Sequence, residues 1–541
     1  MAAENANTPT VRDAALDTMR RHGLTTIFAN PGSTEISFLA GLPDDFQFVL
    51  GLHEAAVVGM ASGFALGAER PAFVNLHTTA GLGNAVAAIA TARVNRAPLV
   101  ILVGQQDRRH LALEPFLTGR LEGLAGEYPV WVNQPVRGQD VAGAIARGAH
   151  EAVTYRGPAV VIVPMDDWLV PYETDMEDAA PLRMVRSSGV HPNDVVELSE
   201  LIAGSKAPAL VAGAGAGSPR AWHALVSLAE HLSAPVWQDP FTAQAGFPQD
   251  HPQFMGILPA GRKRLRETLA PYDLVFAVGA PIFRQYPYET GPLVNPGTRL
   301  ALVTDEPDEA HRSPADVALL ASPACVCELL VEELPARTAT PPPPPPRRRP
   351  DLAPPAAGEP LRAGHVLSAL AERLPRDTIL IEETPSSRPE LQDRIPAREP
   401  LGFLSTAMGI LGFAIPAGIG LRMALPERPV VTVVGDGSSL YTIQSLWSAA
   451  HYKAGALFVV MSNGRYSVMD RLVEMQGHAG PWPAFDIDIS HLARGFGCDA
   501  VRIEGHDELL STLDEVVPTL TSRTEPLLLE AVVVPDTHFE A

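Results

Sequence analysis

The amino-acid sequence predicts an α/β protein built as three doubly wound domains with mainly parallel sheets. Three observations predict it. The chain has 541 residues, more than one hydrophobic core serves, and domains of roughly 150 residues imply three or four of them. Short runs that are apolar almost without interruption alternate with Ala-rich stretches of helical length, as parallel strands buried on both faces alternate with helices. Two breaks in composition divide the pattern. One falls near Asp178 to His191. The other, Thr340 to Pro355, carries six consecutive prolines, Pro341 to Pro346, and then Arg347-Arg348-Arg349. Proline has no N–H to give a helix or a sheet, so this stretch reads as an extended, exposed spacer. The expected division is a first domain over 1–180, a middle domain over 190–335, a proline-rich linker over 336–356 and a last domain over 357–541.

Each block can be followed in order. In the first, Thr10 caps a helix through Arg21, with Asp13 in its first turn and Gly23 past its end. Strands are expected at Thr26–Ala29, Phe73–Leu76, Leu99–Val103 and Ala159–Val163, with helices over Glu54–Leu66 and Asn84–Val94. The middle block opens with a helix near Pro192 and offers strands at Ala209–Ala212, Leu274–Val278 and Leu300–Val303. The last block offers strands at Val430–Val434, Leu457–Met461 and Leu527–Val534. In such sheets, ligands bind beyond the carboxyl ends of the strands.

Composition excludes some functions. A net charge of −21 argues against nucleic acid and against an anionic membrane surface, both of which need a basic face. The three cysteines, Cys325, Cys327 and Cys498, are too few and too irregular for a disulfide framework and fit a reducing compartment. Cys325-Val326-Cys327 lacks zinc spacing and reads as structural. No signal pattern opens the chain and no apolar run reaches about 18 residues, so a soluble, cytoplasmic protein is expected.

The chemistry concentrates after one strand. Val430–Val434 runs into Gly435-Asp436-Gly437-Ser438-Ser439, a Gly-rich turn whose N–H groups can approach a phosphate. Asp436 adds a hard carboxylate suited to Mg²⁺. Asn463 follows 27 positions later at the end of the next strand, which adjacent parallel strands would set beside Asp436. A second glycine run, Ala212-Gly-Ala-Gly-Ala-Gly217, has no acidic partner at the right distance and reads as a tight structural turn in preference to a site for FAD or NAD.

Asp436 through Asn463 resembles the thiamine-diphosphate signature, and the order of the blocks matches a pyrimidine-binding domain, a middle domain and a diphosphate-binding domain. The chain is similar to the thiamine-diphosphate-dependent 2-oxo acid decarboxylases over nearly its whole length, and most resembles the benzoylformate decarboxylases. Asn30-Pro-Gly-Ser-Thr-Glu35, Leu52-His-Glu-Ala55, Asn75-Leu-His-Thr-Thr-Ala-Gly81, Gly104-Gln-Gln106, Phe254-Met-Gly-Ile-Leu-Pro-Ala260, Gly279-Ala-Pro-Ile-Phe-Arg284 and Gly409-Ile-Leu-Gly-Phe-Ala-Ile-Pro416 carry the likeness.

The resemblance implies roles. Glu54 would hydrogen-bond N1′ of the aminopyrimidine and favour the imino tautomer, whose 4′ nitrogen takes the proton from thiazolium C2. Gly409 would accept the 4′-amino hydrogen bond and Leu411 would prop the bent cofactor. Ser386, Gly437, Ser438 and Tyr466 would contact the cofactor, and Asp436, Asn463 and the carbonyl of Arg465 would ligate Mg²⁺ or Ca²⁺. Ser33 would hold the substrate carboxylate and His77 would relay protons, a task to which histidine as a residue type is suited. On residue type alone, Glu54 reads equally as a helix-terminus acid, and His77 reads first as a satisfied strand-end histidine; its setting in His-Thr-Thr-Ala-Gly turns the reading to the proton relay.

Departures are expected to matter. Tyr286, in Phe283-Arg-Gln-Tyr-Pro-Tyr288, stands where the family has a second histidine, and a phenol is a poor proton carrier near neutrality. Leu472, with Val468 and Met469 on one helix, replaces an aromatic wall. Phe116, beside Leu117, replaces an aliphatic residue, Ser462 replaces an Asn, and Arg388 stands where a small hydroxyl residue is expected. Arg388 can bind a second substrate carboxylate or form an ion pair. The expected reaction is non-oxidative decarboxylation of a benzoylformate-like 2-oxo acid to an aldehyde and CO₂. The alternatives are a carboligase or acyloin lyase of the acetolactate synthase type and a non-catalytic cofactor-binding protein. A homodimer or homotetramer is implied, with Glu54 of one chain facing Asp436 of its partner.

Overall fold

The computed structural model describes residues 8–173, 180–181, 183–185, 189–338, 343–345, 352–356 and 358–535. Much of the break near 178–191 and of the linker over 336–356 lies outside the described residues. What is described of 336–356 forms neither strand nor helix.

Three six-stranded sheets carry the fold, and every strand pair in them is parallel. The first holds β1 Thr26–Asn30, β2 Gln47–Leu50, β3 Ala72–Leu76, β4 Leu99–Gln105, β5 Trp131–Asn133 and β6 Pro158–Pro164, in the order β2-β1-β3-β4-β6-β5. The second holds β7 Pro208–Ala212, β8 Val236–Gln238, β9 Phe254–Ile257, β10 Leu274–Val278, β11 Arg299–Thr304 and β12 Val317–Leu320, in the order β12-β11-β10-β7-β8-β9. The third holds β13 Ile379–Glu383, β14 Phe403–Ser405, β15 Val430–Gly435, β16 Leu457–Ser462, β17 Asp499–Ile503 and β18 Leu527–Val532, in the order β14-β13-β15-β16-β18-β17.

The expected strands are there because buried runs announce themselves: β1, β3, β4, β6, β7, β10 and β15 are buried along almost their whole length. Several unannounced strands are at edges, such as β2, β5, β9, β12 and β17, and are partly exposed. Short β8 and β14 are buried but only three residues long, too short for a periodic signal. The helix expected over Asn84–Val94 begins earlier, at Thr78, and the element at Pro192 opens as a 3₁₀ turn, Pro192–Val195. The first helix runs Val11–Arg21, with Thr10 and Asp13 closing a reciprocal capping box.

The first and third domains share a helix–helix seam. The Glu54–Ala68 helix lies against the Ala414–Ala424 helix so closely that a Cβ on Gly63 would sit 2.1 Å from the Ala417 carbonyl oxygen, and one on Gly420 would sit 1.8 Å from that of Met60. The middle domain joins the third through Ser405 N–H to Ala243 O at 2.9 Å. Among the described residues no helix is long and apolar enough to cross a membrane.

Candidate active site

In each outer domain the strand order reverses direction beside the first strand, between β1 and β3 and between β13 and β15. The carboxyl ends of these strands flank the crevice where doubly wound sheets take ligands, and Ser33, His77, Ser386 and Asp436 follow them in the chain.

In the third domain, β15 runs directly into Asp436, which is 4% exposed. Its Oδ1 accepts the Gly437 N–H at 2.7 Å, and its Oδ2 accepts those of Asn463 at 2.8 Å and Gly464 at 2.7 Å. Burial raises its pKa while the three N–H groups pull it down. The β15–β16 pairing thus brings Asn463 to Asp436 as the spacing predicts, but through the backbone; the Asn463 Oδ1 accepts the Arg465 N–H at 3.0 Å. Tyr466 covers the turn, and a Cβ on Gly437 would lie 3.0 Å from its ring. The donors here are a carboxylate, an amide and a main-chain carbonyl, all hard oxygens with one formal charge between them. Such a set suits a divalent cation whose remaining ligands come from a diphosphate, and it fits thiamine diphosphate. Among the described residues no group of three or more His, Cys, Asp and Glu offers a metal site built from protein alone.

Gly409 has φ +69° and Gly412 φ +95°, conformations that only glycine adopts freely. They shape the loop that carries Leu411. A residue the sequence reading missed holds this loop: Glu383, at the end of β13, accepts the N–H groups of Gly412 at 2.6 Å and of Phe413 and Ala414 at 2.8 Å each. Burial pushes its carboxyl up to about 7 against the pull of those donors.

In the first domain, Glu54 opens its helix and is 8% exposed. Asn84 donates to its Oε2 at 3.1 Å, a role that its place in a predicted helix did not reveal. His77 ends β3. Its Nδ1 lies 3.0 Å from Glu35 Oε2 and 3.0 Å from Thr34 Oγ1, and Thr34 itself donates to Glu35 Oε1 at 2.5 Å. With the carboxylate of fully buried Glu35 as its acceptor, Nδ1 carries the proton and Nε2 is left as the acceptor. Gly32 allows the fit, since a Cβ there would sit 2.5 Å from the imidazole. Glu35 lay within a quoted stretch, Asn30 to Glu35; its adjacency to His77 follows from the β1–β3 pairing. Ser33 is exposed beside it.

A cavity of about 1350 Å³ between the middle and third domains is lined by Tyr286, Arg388, Gly409, Leu411 and Val468, with Met408 at its wall. Ser33, Glu54, His77, Phe116, Ser386, Met469 and Leu472 are not on it. Ser386 is half-buried past β13 and Ser438 is buried beside Asp436. Tyr286 is 50% exposed. Arg388 neutralises buried Glu382, with Nε 2.6 Å from Oε2, and also donates to Ser405. Phe116 is 86% exposed and Leu117 half-buried. Val468, Met469 and Leu472 share the Ser467–Glu474 helix. The glycine run after β7 packs against the turn after β10: a Cβ on Gly213 would sit 2.5 Å from the Gly279 carbonyl oxygen. Backbone thus closes on backbone at the middle domain's own crevice, as the reading of a structural turn expects. Cys325 and Cys327 are buried in the Pro323–Glu333 helix.

Residues 9–124, 195–330 and 389–531 match, in turn, the thiamine pyrophosphate enzyme N-terminal TPP binding domain, central domain and C-terminal TPP binding domain. A benzoylformate decarboxylase of Pseudomonas aeruginosa is 37% identical over 526 residues, spanning 96% of this chain and 98% of that protein. A solved thiamine diphosphate-dependent 4-hydroxybenzoylformate decarboxylase of Rhodococcus jostii RHA1 superposes with a TM-score of 0.92 at 33% identity, covering 98% of this chain and all of that one (100%). A solved benzoylformate decarboxylase of Polynucleobacter necessarius gives a TM-score of 0.92 at 32% identity, over 98% of this chain and 99% of that one.

Proposed function

The chain belongs to the thiamine pyrophosphate enzymes, and on that premise we propose that it is a carboxy-lyase that takes CO₂ from a benzoylformate-like 2-oxo acid and releases the aldehyde. The observation that carries the reading is the pairing of two prepared strand ends, Asp436 in its N–H cradle and His77 locked on Glu35, in a chain matched end to end by a benzoylformate decarboxylase.

When bound, thiamine diphosphate supplies a nucleophilic carbon for the 2-oxo group and an electron sink as CO₂ leaves. The chain's residues do the rest. Asp436, Asn463 and the carbonyl of Arg465 hold Mg²⁺ or Ca²⁺, and Ser386, Gly437 and Ser438 hold the diphosphate, with Tyr466 over the turn. Gly409 offers its carbonyl to the 4′-amino group, and Leu411 supports the ring system. Glu54 offers its carboxylate to N1′, kept in place by Asn84. Ser33 binds the substrate carboxylate, and His77, held through Nδ1 by Glu35, moves a proton. Tyr286 donates a hydrogen bond from the opposite wall. Two copies complete the site, Glu54 of one facing Asp436 of the other, in a homodimer or a tetramer of such pairs.

CO₂ release from a panel of aryl and alkyl 2-oxo acids, with thiamine diphosphate and Mg²⁺ present, tests the proposal. Turnover of aryl substrates is expected, falling about 100-fold or more in E54Q and lost on chelation of the metal. No turnover of any 2-oxo acid by protein shown to hold the cofactor would sink it.

A further inference from the structure

The loop that carries Gly409 and Leu411 is anchored from all three domains. From the third, Glu383 takes the N–H groups of Gly412, Phe413 and Ala414. From the middle, Arg284 donates through Nη1 to the carbonyls of Phe241 and Ala407, each at 3.1 Å. From the first, Asn95 does two things at once. Its Nδ2 donates to the Ser405 carbonyl at 3.0 Å, and its Oδ1 accepts the Ala407 N–H at 3.1 Å. Asn95 is 1% exposed, so its amide meets these two partners out of contact with water.

Asn95 also sits at a telling place. It is the residue that ends the Thr78–Val94 helix, whose N-cap is His77 and whose second turn holds Asn84, the partner of Glu54. One rigid helix therefore connects the proton carrier, the support of the activating carboxylate and the anchor of the loop beneath the cofactor.

We propose that Asn95 and Glu383 are positioning residues for thiamine diphosphate: neither touches it, and together they fix the 406–413 loop in the form that receives it. This rests on the function proposed above. A loop held before binding spends no binding free energy on ordering, so loosening an anchor weakens the cofactor's hold more than it slows turnover at saturation.

The test uses the full chain freed of cofactor, titrated with thiamine diphosphate at fixed Mg²⁺ and followed by tryptophan fluorescence, in wild type, N95A and E383Q. The dissociation constant is expected to rise about tenfold in each, the scale of one buried hydrogen bond lost, with kcat at saturating cofactor falling less. A residue that merely supported folding would lower the unfolding temperature and leave the dissociation constant of the folded fraction unchanged. If N95A does not fold, N95D keeps the acceptor for Ala407 but loses the donor to Ser405 and carries the same test. Wild-type affinity in the folded variants overturns the proposal. Absence of thiamine diphosphate binding by wild type itself overturns the function first, and this proposal with it.

Discussion

Glu383 carries a carboxyl that is fully buried and pushed up to about 7 from an ordinary 4.5, chiefly by burial and partly by neighbouring Glu382. Between those values the folded chain keeps a proton that the unfolded chain has released. The stability this contributes is complete below 4.5 and is lost as pH rises through 7, with a slope of about 1 kcal/mol per pH unit within the window. Urea unfolding at a series of pH values should show this decline in wild type and a flatter profile in E383Q, which has no proton to lose; parallel profiles would refute it. Tyr286 supports a second prediction. A phenol is a poorer proton carrier than an imidazole at neutrality, so Y286H should raise the share of aldehyde released over acyloin formed with an added aldehyde, by about tenfold. Chiral analysis of the products measures that ratio, and an unchanged ratio would remove Tyr286 from the protonation path. Asp436 and Asn463 could be read from the sequence because a glycine-flanked acid after an apolar run is a local signal. Glu35, Asn95 and Glu383 could not, because each acts on a partner 42, 310 or 29 residues away that only strand pairing and domain contact bring near.

At the scale of elements, the seam between the Glu54–Ala68 and Ala414–Ala424 helices is built on missing side chains. Both helices are dense in small apolar residues, and the first is expected from the sequence as an Ala-rich helix over Glu54–Leu66. That it packs on a helix more than 340 residues later was not legible, since a helix buried all round carries no preferred face in its sequence (eleven of its fifteen residues are buried). The contact is backbone against backbone, and a carbonyl oxygen 2.1 Å from a new Cβ cannot turn away as a side-chain tip can. Gly63→Ala or Gly420→Ala should therefore cost about 3 kcal/mol, the upper range for overpacking. It should also displace Glu54, which begins the same helix, so that loss of activity accompanies loss of stability. Gly83→Ala offers the control, since a Cβ there meets nothing within 4 Å. Denaturant unfolding of the three variants compares them, and a Gly63→Ala protein as stable as Gly83→Ala would refute the close-packing account.

At the scale of the molecule, the first and third sheets follow one plan: β2-β1-β3-β4-β6-β5 and β14-β13-β15-β16-β18-β17 are the same order with the numbers advanced by twelve. Each therefore presents an equivalent crevice, and the proposed chemistry divides between them, with Glu35, Ser33 and His77 at one and Glu383, Ser386 and Asp436 at the other. The proposed function gives Glu54 and Asp436 roles in one reaction, yet among the described residues the hydrogen bonds of Glu54 run to Asn84 and those of Asp436 to its own cradle. In the proposed dimer, two copies related by a twofold axis would bring crevice to crevice, each supplying half of two identical sites. This makes inactive chains able to repair one another. E54Q lacks the activating carboxylate and D436N the metal ligand. When they are mixed, unfolded and refolded together, half of the dimers contain one of each, and each such dimer has one site with both residues intact and one with neither. Activity should return to about one quarter of wild type. If both residues served a site within their own chain, every site in the mixture would lack one of them, and the mixture would be as inactive as its parts.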